Sequence, residues 1–186
     1  SFYRNFLFFL ICFFISVLSF SQQGWWTWMK GAYPAVPVAN YGTQGVAALA
    51  NEPAGQYQVA GRWMDSQGNL WVYGGGNTRH SALWKYSPTT NMWTWMNGLS
   101  TAGITGAYGL QGTPSPANYP TPRTVPLTWV DNTGNLWIFG GYGYGANSVY
   151  GALSDLWKYD IASNQWTWMK GPNIANQPGV YGTITV

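Results

Sequence analysis

The chain has 186 residues, of which 7% are charged and 18% are aromatic, and its formal net charge is +3. Such a chain has much apolar surface to bury and little charge, and this argues against an intrinsically disordered protein. Its 8 Lys and Arg residues form no cluster, which argues against a partner that is a nucleic acid. The length suits one ordinary domain.

The first residues are typical of a secretory signal peptide. Arg4 precedes an apolar run from Phe6 to Phe20, and Ser19 and Ser21 supply small residues before a cleavage site. The run is shorter than the roughly 20 residues that span a bilayer. We therefore predict a signal peptide at residues 1–21 and a secreted or cell-surface protein, periplasmic or extracellular. A retained membrane anchor is the alternative; otherwise the chain meets the membrane only through this segment, before cleavage.

The remaining sequence is built from repeats. The motif W-T-W-M begins at Trp26, Trp93 and Trp166, and a Tyr-Gly pair follows each copy at a fixed distance. Two longer motifs occur twice each: W-x-D-x-x-G-N-L-W begins at Trp63 and Trp129, and L-W-K-Y begins at Leu83 and Leu156. The first pair is 129 − 63 = 66 residues apart and the second is 156 − 83 = 73, so seven extra residues lie between these motifs in the second unit. Motifs that recur at such distances indicate repeated structural units.

Four short strands, A to D, are predicted in each unit, after a lone strand at Trp25–Met29. Asp and Gly supply the turn chemistry between strands, while Trp, Val and Tyr favour strands. No helical periodicity appears after the signal segment. The predicted strands of the first unit are at 57–65, 69–74, 83–86 and 92–96, and those of the second are at 125–131, 135–140, 156–160 and 165–169.

Several of these strands, such as 70–73, are apolar on both faces, whereas a sheet with one wet face alternates apolar with polar residues. Small sheets that are buried on both faces must be stacked, and four-stranded sheets stacked radially make a β-propeller. The predicted fold class is all-β. In detail, we expect a partial propeller within residues 22–186, with two complete blades at about 56–98 and 123–171, a lone outer strand before them, and a signal-peptide helix at the start.

The repeat units resemble the Kelch family. Kelch blades carry a double glycine after strand B, then a Tyr on strand C and a Trp on strand D. This chain has the pattern twice: Gly74-Gly75 with Tyr86 and Trp93, and Gly140-Gly141 with Tyr159 and Trp166. The long units resemble those of secreted bacterial Kelch proteins of the galactose-oxidase-like type. The resemblance implies that further blades of the same full-length protein are partners of this chain, since a propeller has about four to eight blades.

Long connections, D to A and B to C, are predicted to lie at one end of the blades, and Tyr, Asn and Gly there suit adaptable recognition. From the residues that this end would display, including Tyr41, Tyr108 and Tyr150, the following are the predicted binding residues: Arg79, His80, Asn118, Tyr119, Arg123, Tyr142 and Tyr144. The alternative is that these side chains pack their own loops. Among the differences between the units, Arg123 aligns with Gln56, and Asp155 aligns with Ala82.

The sequence offers little for catalysis or metal binding. It has one histidine, His80, and one cysteine, Cys12, which lies in the signal segment. No cofactor, metal site or catalytic residue is therefore predicted, and Asp65 and Asp131 are interpreted as turn residues. We expect a non-catalytic module that binds an extracellular protein or glycan. The alternatives are an extracellular oxidase or carbohydrate-active enzyme with its catalytic residues in further blades, and a structural adhesion protein.

Overall fold

The computed structural model describes residues 26–31, 38–55, 60–74 and 80–182. Within these residues all regular secondary structure is β, which confirms the predicted all-β class. The strands are β1 Gly61–Met64, β2 Leu70–Tyr73, β3 Leu83–Ser87, β4 Met92–Asn97, β5 Arg123–Thr124, β6 Leu127–Val130, β7 Leu136–Tyr144, β8 Tyr150–Asp160 and β9 Gln165–Lys170. The predicted signal peptide and Arg79 lie outside the described residues.

The strands form two antiparallel sheets, one for each repeat unit. The first sheet has the order β1-β2-β3-β4, and the second has the order β5-β7-β8-β9 with β6 also paired to β7. The four strands predicted in each unit are therefore present. Equivalent residues occupy equivalent registers: Trp63 is opposite Trp71 in the first sheet, and Trp129 is opposite Trp137 in the second.

An aspartate organises the tight turn that joins the first two strands of each unit. Asp65 Oδ1 accepts hydrogen bonds from the backbone N–H groups of Gln67 and Asn69, both at 2.9 Å, and Oδ2 accepts one from Trp71 Nε1 at 2.8 Å. Asp131 makes the same contacts in the second unit. The interpretation of both aspartates as turn residues is confirmed, and the contacts explain why Asp, Asn and Trp keep a fixed spacing.

Aromatic side chains fill the space between the two sheets. The ring centroids of Trp71 and Tyr159 are 5.8 Å apart, and those of Tyr73 and Trp166 are 5.6 Å apart. Trp63 Nε1 donates to the carbonyl oxygen of Trp137 across the interface at 3.1 Å. We call the face of the first sheet that carries Trp63, Trp71 and Tyr73 its front, and the face of the second sheet that carries Tyr159 and Trp166 its back. The front of the first sheet packs on the back of the second, and burial of these large rings stabilises the pair of sheets.

The connection that precedes each sheet covers the outer edge of its last strand. Asn51 Nδ2 donates to the carbonyl oxygen of Trp93 on β4 at 3.0 Å, and Asn118 Nδ2 donates to that of Trp166 on β9 at 3.2 Å. Covering an edge strand in this way prevents it from pairing with other chains. A side chain at Gly109 would collide with Asn118, so the Tyr-Gly pair and the later Asn form one packing motif.

Two expectations about strands were wrong. Residues 26–31 contain no strand, and the Trp28 side chain there is 63% exposed. A strand needs a neighbour for its backbone groups, and none of the described strands pairs with this segment. In the second unit the long connection from strand B to strand C, residues 142–154, was expected to be a loop. Instead β7 and β8 continue through it as a paired extension that is closed by a short turn at 145–149.

Candidate recognition surface

Three tyrosines lie together on this extension of the second sheet, and we call Tyr142, Tyr144 and Tyr150 the tyrosine platform. Tyr142 and Tyr144 are two residues apart on β7 and so point to the same side, and Tyr150 is opposite Tyr144 on β8. The Tyr150 ring centroid is 5.1 Å from that of Tyr144 and 6.5 Å from that of Tyr142. Tyr142 is 53% exposed and Tyr150 is 48% exposed, so the rings face solvent.

Glycines on the other side of the extension allow it to pack closely against the rest of the protein. Gly143 and Gly151 are opposite each other and both are buried. A side chain at Gly143 would collide with the backbone of Pro122, and one at Gly151 would collide with Asn176. The alternation of Gly and Tyr in G-Y-G-Y-G therefore gives the extension one face that packs and one face that is displayed.

Asn176 fixes the outgoing strand of the extension from the side. Its backbone N–H donates to the carbonyl oxygen of Ala152 at 2.8 Å, and its Oδ1 accepts from the N–H of Ala152 at 2.9 Å. The N–H of Ala146, in the turn, donates to the carbonyl oxygen of Asn173 at 2.7 Å. These bonds hold the platform on a rigid scaffold, so its rings are placed before any ligand arrives.

A buried ion pair lies at the base of the same extension. Arg123 is 0% exposed and makes two hydrogen bonds with Asp155, Nη1 to Oδ1 at 2.6 Å and Nη2 to Oδ2 at 2.7 Å. Tyr108 Oη and Trp157 Nε1 also donate to Asp155 Oδ2, at 2.7 and 2.8 Å. Arg123 Nη1 donates further to the carbonyl oxygen of Gly140 at 3.0 Å. Each charged group is thus paired and hydrogen-bonded, as burial requires.

The surroundings of this pair favour its charged form. Burial alone would raise the pKa of Asp155, but the Arg123 guanidinium and the hydrogen bonds from Tyr108 and Trp157 outweigh it, so the pKa lies below its ordinary value. Burial also raises the pKa of the Tyr108 hydroxyl, and the charge of Asp155 raises it further. Tyr108 therefore stays a neutral hydrogen-bond donor.

The structure places several predicted binding residues away from solvent. The expectation that Arg123, Asn118 and Tyr108 are displayed was wrong, because Arg123 forms the buried ion pair, Asn118 covers the edge of β9, and Tyr108 is bonded to Asp155. Tyr119 is half-buried and packs against the core, and His80 is half-buried as well. Only Tyr142 and Tyr144, among the predicted residues that the structure describes, come together on an exposed surface.

Sequence reasoning missed the partner of Arg123 and the role of Asn176. A signal for the first was present, because Arg123 and Asp155 carry opposite charges, whereas Gln56 and Ala82, at the equivalent places of the first unit, are uncharged. Opposite charges at two positions that are uncharged in the other unit indicate an ion pair. No equivalent signal exists for Asn176, since the match between Asn176 and Gly151 is a feature of packing.

A cleft of about 310 Å³ lies at the opposite end of β7, between the tight turns of the two sheets. Its polar lining includes Asp65, Gln67, Lys85, Asn135 and Asp160. The Asp65 carboxylate is already occupied by its own turn, so its oxygens are not available to bind a ligand without breaking that turn. Across the described residues, no three His, Cys, Asp or Glu side chains are grouped so that they could hold a metal ion.

No family model matches the chain, and no curated protein matches it. The solved structure of a protein called YjhT is similar over 69% of this chain and 29% of that one, at 17% identity and a TM-score of 0.42. The chain therefore spans less than a third of the length of that protein. No helix in the described part of the chain is long and apolar enough to cross a membrane.

Proposed function

We propose that this chain is part of an exported Kelch-type β-propeller that binds an extracellular protein or glycan without catalysing a reaction. The observation that carries the proposal is the tyrosine platform. Tyrosines that are exposed, close together and fixed by the backbone are typical of recognition surfaces, because such rings offer contact area and lose little conformational entropy on binding. The proposal assigns no catalytic residue.

The contacts between the sheets support the propeller part of the proposal. On the first sheet, Trp63, Trp71 and Tyr73 form the front face, which the second sheet covers. Their counterparts on the second sheet are Trp129, Trp137 and Phe139 by the 66-residue repeat distance. Trp129 is 42% exposed and Phe139 is 40% exposed. Because the front of the second sheet carries similar residues, it should also pack on the back of another such sheet. Repeated stacking of sheets in this way leads to a ring.

The back of the first sheet supports the same reasoning from the other side. Leu136, Ile138 and Tyr159, on the back of the second sheet, are fully buried against the first sheet. The counterpart of Leu136 is Leu70, which is 40% exposed. The front of the second sheet and the back of the first, which we call the open faces, therefore resemble in composition the two faces that are covered. Further blades of the same protein are the proposed partners of both open faces.

Direct binding measurements test the recognition function. Immobilised wild-type protein would be screened against purified polysaccharides and cell-surface proteins, next to the double variant Tyr142→Ala/Tyr150→Ala. We expect the variant to lose binding, because two of the three rings are gone. Tyr181→Ala is the matched control, since Tyr181 is an exposed tyrosine outside the platform. Equal binding by the double variant and the wild type would refute a role for the platform.

Two further experiments test export and architecture. Protein recovered from the culture medium should begin at Gln22 when its N-terminus is sequenced, and recovery of an uncleaved chain from the cytoplasm would contradict export. The structure of the full reading frame should show another four-stranded sheet on the face formed by Trp129, Trp137 and Phe139. A different fold on that face would overturn the propeller.

A further inference from the structure

The size of the tyrosine platform limits the kind of ligand it can take. A fully buried aromatic side chain contributes about 150–250 Å², and half-exposed rings offer roughly half of that, so the three rings together present on the order of 300 Å². A stable protein–protein interface needs about 800 Å² on each partner. The platform by itself therefore provides enough contact area for a small or narrow ligand, whereas a folded protein would need further contacts around it.

The charge around the platform limits the chemistry of that ligand. From Asn132 to Ser154 the sequence contains no Asp, Glu, Lys or Arg. The nearest ion pair, Arg123–Asp155, is 0% exposed, and its charges compensate each other. The strands and the turn that carry the platform therefore offer no charged side chain to an acidic or basic ligand, whereas a neutral ligand needs none. The surface thus favours a neutral molecule.

The surface also combines ring faces with short polar groups. The face of an aromatic ring carries partial negative charge and attracts the slightly positive C–H groups of a sugar ring. Ala152 is opposite Tyr142, and its small side chain leaves that ring uncovered. Asn147 and Ser148 lie exposed in the adjoining turn, where amide and hydroxyl groups can bond to sugar hydroxyls. The arrangement of rings beside polar groups matches the two kinds of surface on a pyranose.

We infer that the tyrosine platform binds a neutral saccharide chain by stacking sugar rings on Tyr142 and Tyr150. The inference rests on the proposed recognition function and narrows it from a protein or glycan to one class.

The counterpart of Phe139 in the first sheet is Tyr73, which the second sheet covers. The platform lies after Phe139 along the chain, on the seven-residue insertion. Gly74, the residue after Tyr73, lies against the backbone of Arg123 in the next unit. A further unit that packs on the open front of the second sheet in the same way would therefore reach Gly140, the counterpart of Gly74, and the platform lies beyond that residue along β7.

Calorimetric titration with defined oligosaccharides tests this inference. The probes are neutral oligosaccharides from cellulose, starch and xylan, with oligogalacturonate as the acidic comparison. We expect binding of at least one neutral probe, and an affinity that changes little between low and high salt because no charges take part. Tyr142→Ala and Tyr150→Ala should each weaken it by about tenfold, the loss of one stacked ring. Tyr142→Phe should retain it, and so should Tyr181→Ala.

Each result has a distinct meaning. Neutral binding that both alanine variants weaken supports the inference. Platform-dependent binding of oligogalacturonate alone, or of a protein alone, would overturn the inference and leave the proposed recognition function in place. If no probe or protein binds, or if the alanine variants bind as the wild type does, both fall. The melting temperature of each variant should equal that of the wild type, since the exposed rings are outside the core.

Discussion

The two repeat units have the same strand order, but they differ in the side chains that pack beside the tryptophan of the third strand, which is β3 in the first unit and β8 in the second. In the first unit Tyr41 packs on Trp84 with ring centroids 5.1 Å apart, and Ala82 lies beside them as a small apolar residue. In the second unit the equivalent Tyr108 packs on Trp157 at 5.0 Å but also donates to a buried carboxylate. The Tyr–Trp stack is therefore what the repeat requires, and the charged network is an addition in one unit.

The addition occurs in the unit that carries the insertion. Arg123 bonds to the carbonyl oxygen of Gly140, where β7 enters the extension, and Asp155 is on β8, where the chain leaves it. Gly140 and Gly141 both have positive φ, 62° and 99°, and the register shifts there. The ion pair thus joins the two strands at the irregular base of the hairpin. We interpret it as the support for the tyrosine platform.

Breaking the ion pair should have the largest effect. Arg123→Gln or Asp155→Ala alone leaves one buried charge without its partner, and we expect a loss of about 3–5 kcal/mol in the free energy of unfolding. The double variant Arg123→Gln/Asp155→Ala restores the residues of the first unit and should cost much less than either single change. Urea unfolding of the three variants measures this. If the loss in the double variant equals the sum of the two single losses, Arg123 and Asp155 are not coupled as the structure indicates.

The loss of stability on removing equivalent tryptophans should differ between a covered face and an open face. Trp166 is fully buried against the first sheet, and Trp166→Ala should cost about 3–5 kcal/mol. Its counterpart Trp93 is only half-buried, so Trp93→Ala should cost clearly less in this chain. Thermal unfolding of both variants provides the comparison. In a complete propeller the difference should disappear; if it persists there, the open face is not covered by another sheet.

The repeat motifs predicted most of the described fold, because they record contacts that every unit must make. The positions of β2, β3, β4 and β9 follow from short runs rich in apolar residues between turn residues. The Asp–Asn–Trp turn was also predictable, since its hydrogen bonds span only a few residues. Local rules of this kind can be read from one sequence.

The candidate site was less predictable because it depends on contacts between distant segments. The extension was expected to be a loop, since Gly is rare within strands, yet close packing on Pro122 and Asn176 favours Gly143 and Gly151 there. Arg123 was expected at the surface, as most arginines are. Its burial depends on Asp155, 32 residues away. The propensities of single residues contain no information on this close packing or on the partner of Arg123.

The glycine after each W-T-W-M motif should matter equally in both units. Gly98 and Gly171 have φ values of 83° and 86°. A side chain at Gly98 would collide with the backbone of Ser81, just before β3, and one at Gly171 would collide with the backbone of Ser154 on β8. We expect Gly98→Ala and Gly171→Ala each to cost more than about 1 kcal/mol. Gly134→Ala is the control, because Gly134 has a φ of 88° but open space around it. Denaturant unfolding should rank it below the other two; equal losses would show that backbone strain alone is responsible.

The smallest effect should appear in acid, where the contribution of the ion pair in the second unit is lost. Because the pKa of Asp155 lies below its ordinary value of 3.8, the stability from its ionised form is fully present above about pH 5 and falls as the pH drops below 3.8. Asp65 and Asp131 also have lowered pKa values, but they are unchanged in the Arg123→Gln/Asp155→Ala variant. Subtracting the urea stability of that variant from that of the wild type at each pH isolates the ion pair. We expect the difference to shrink steadily in acid, and a difference that stays constant down to the lowest pH would mean that Asp155 does not carry charge in the folded protein.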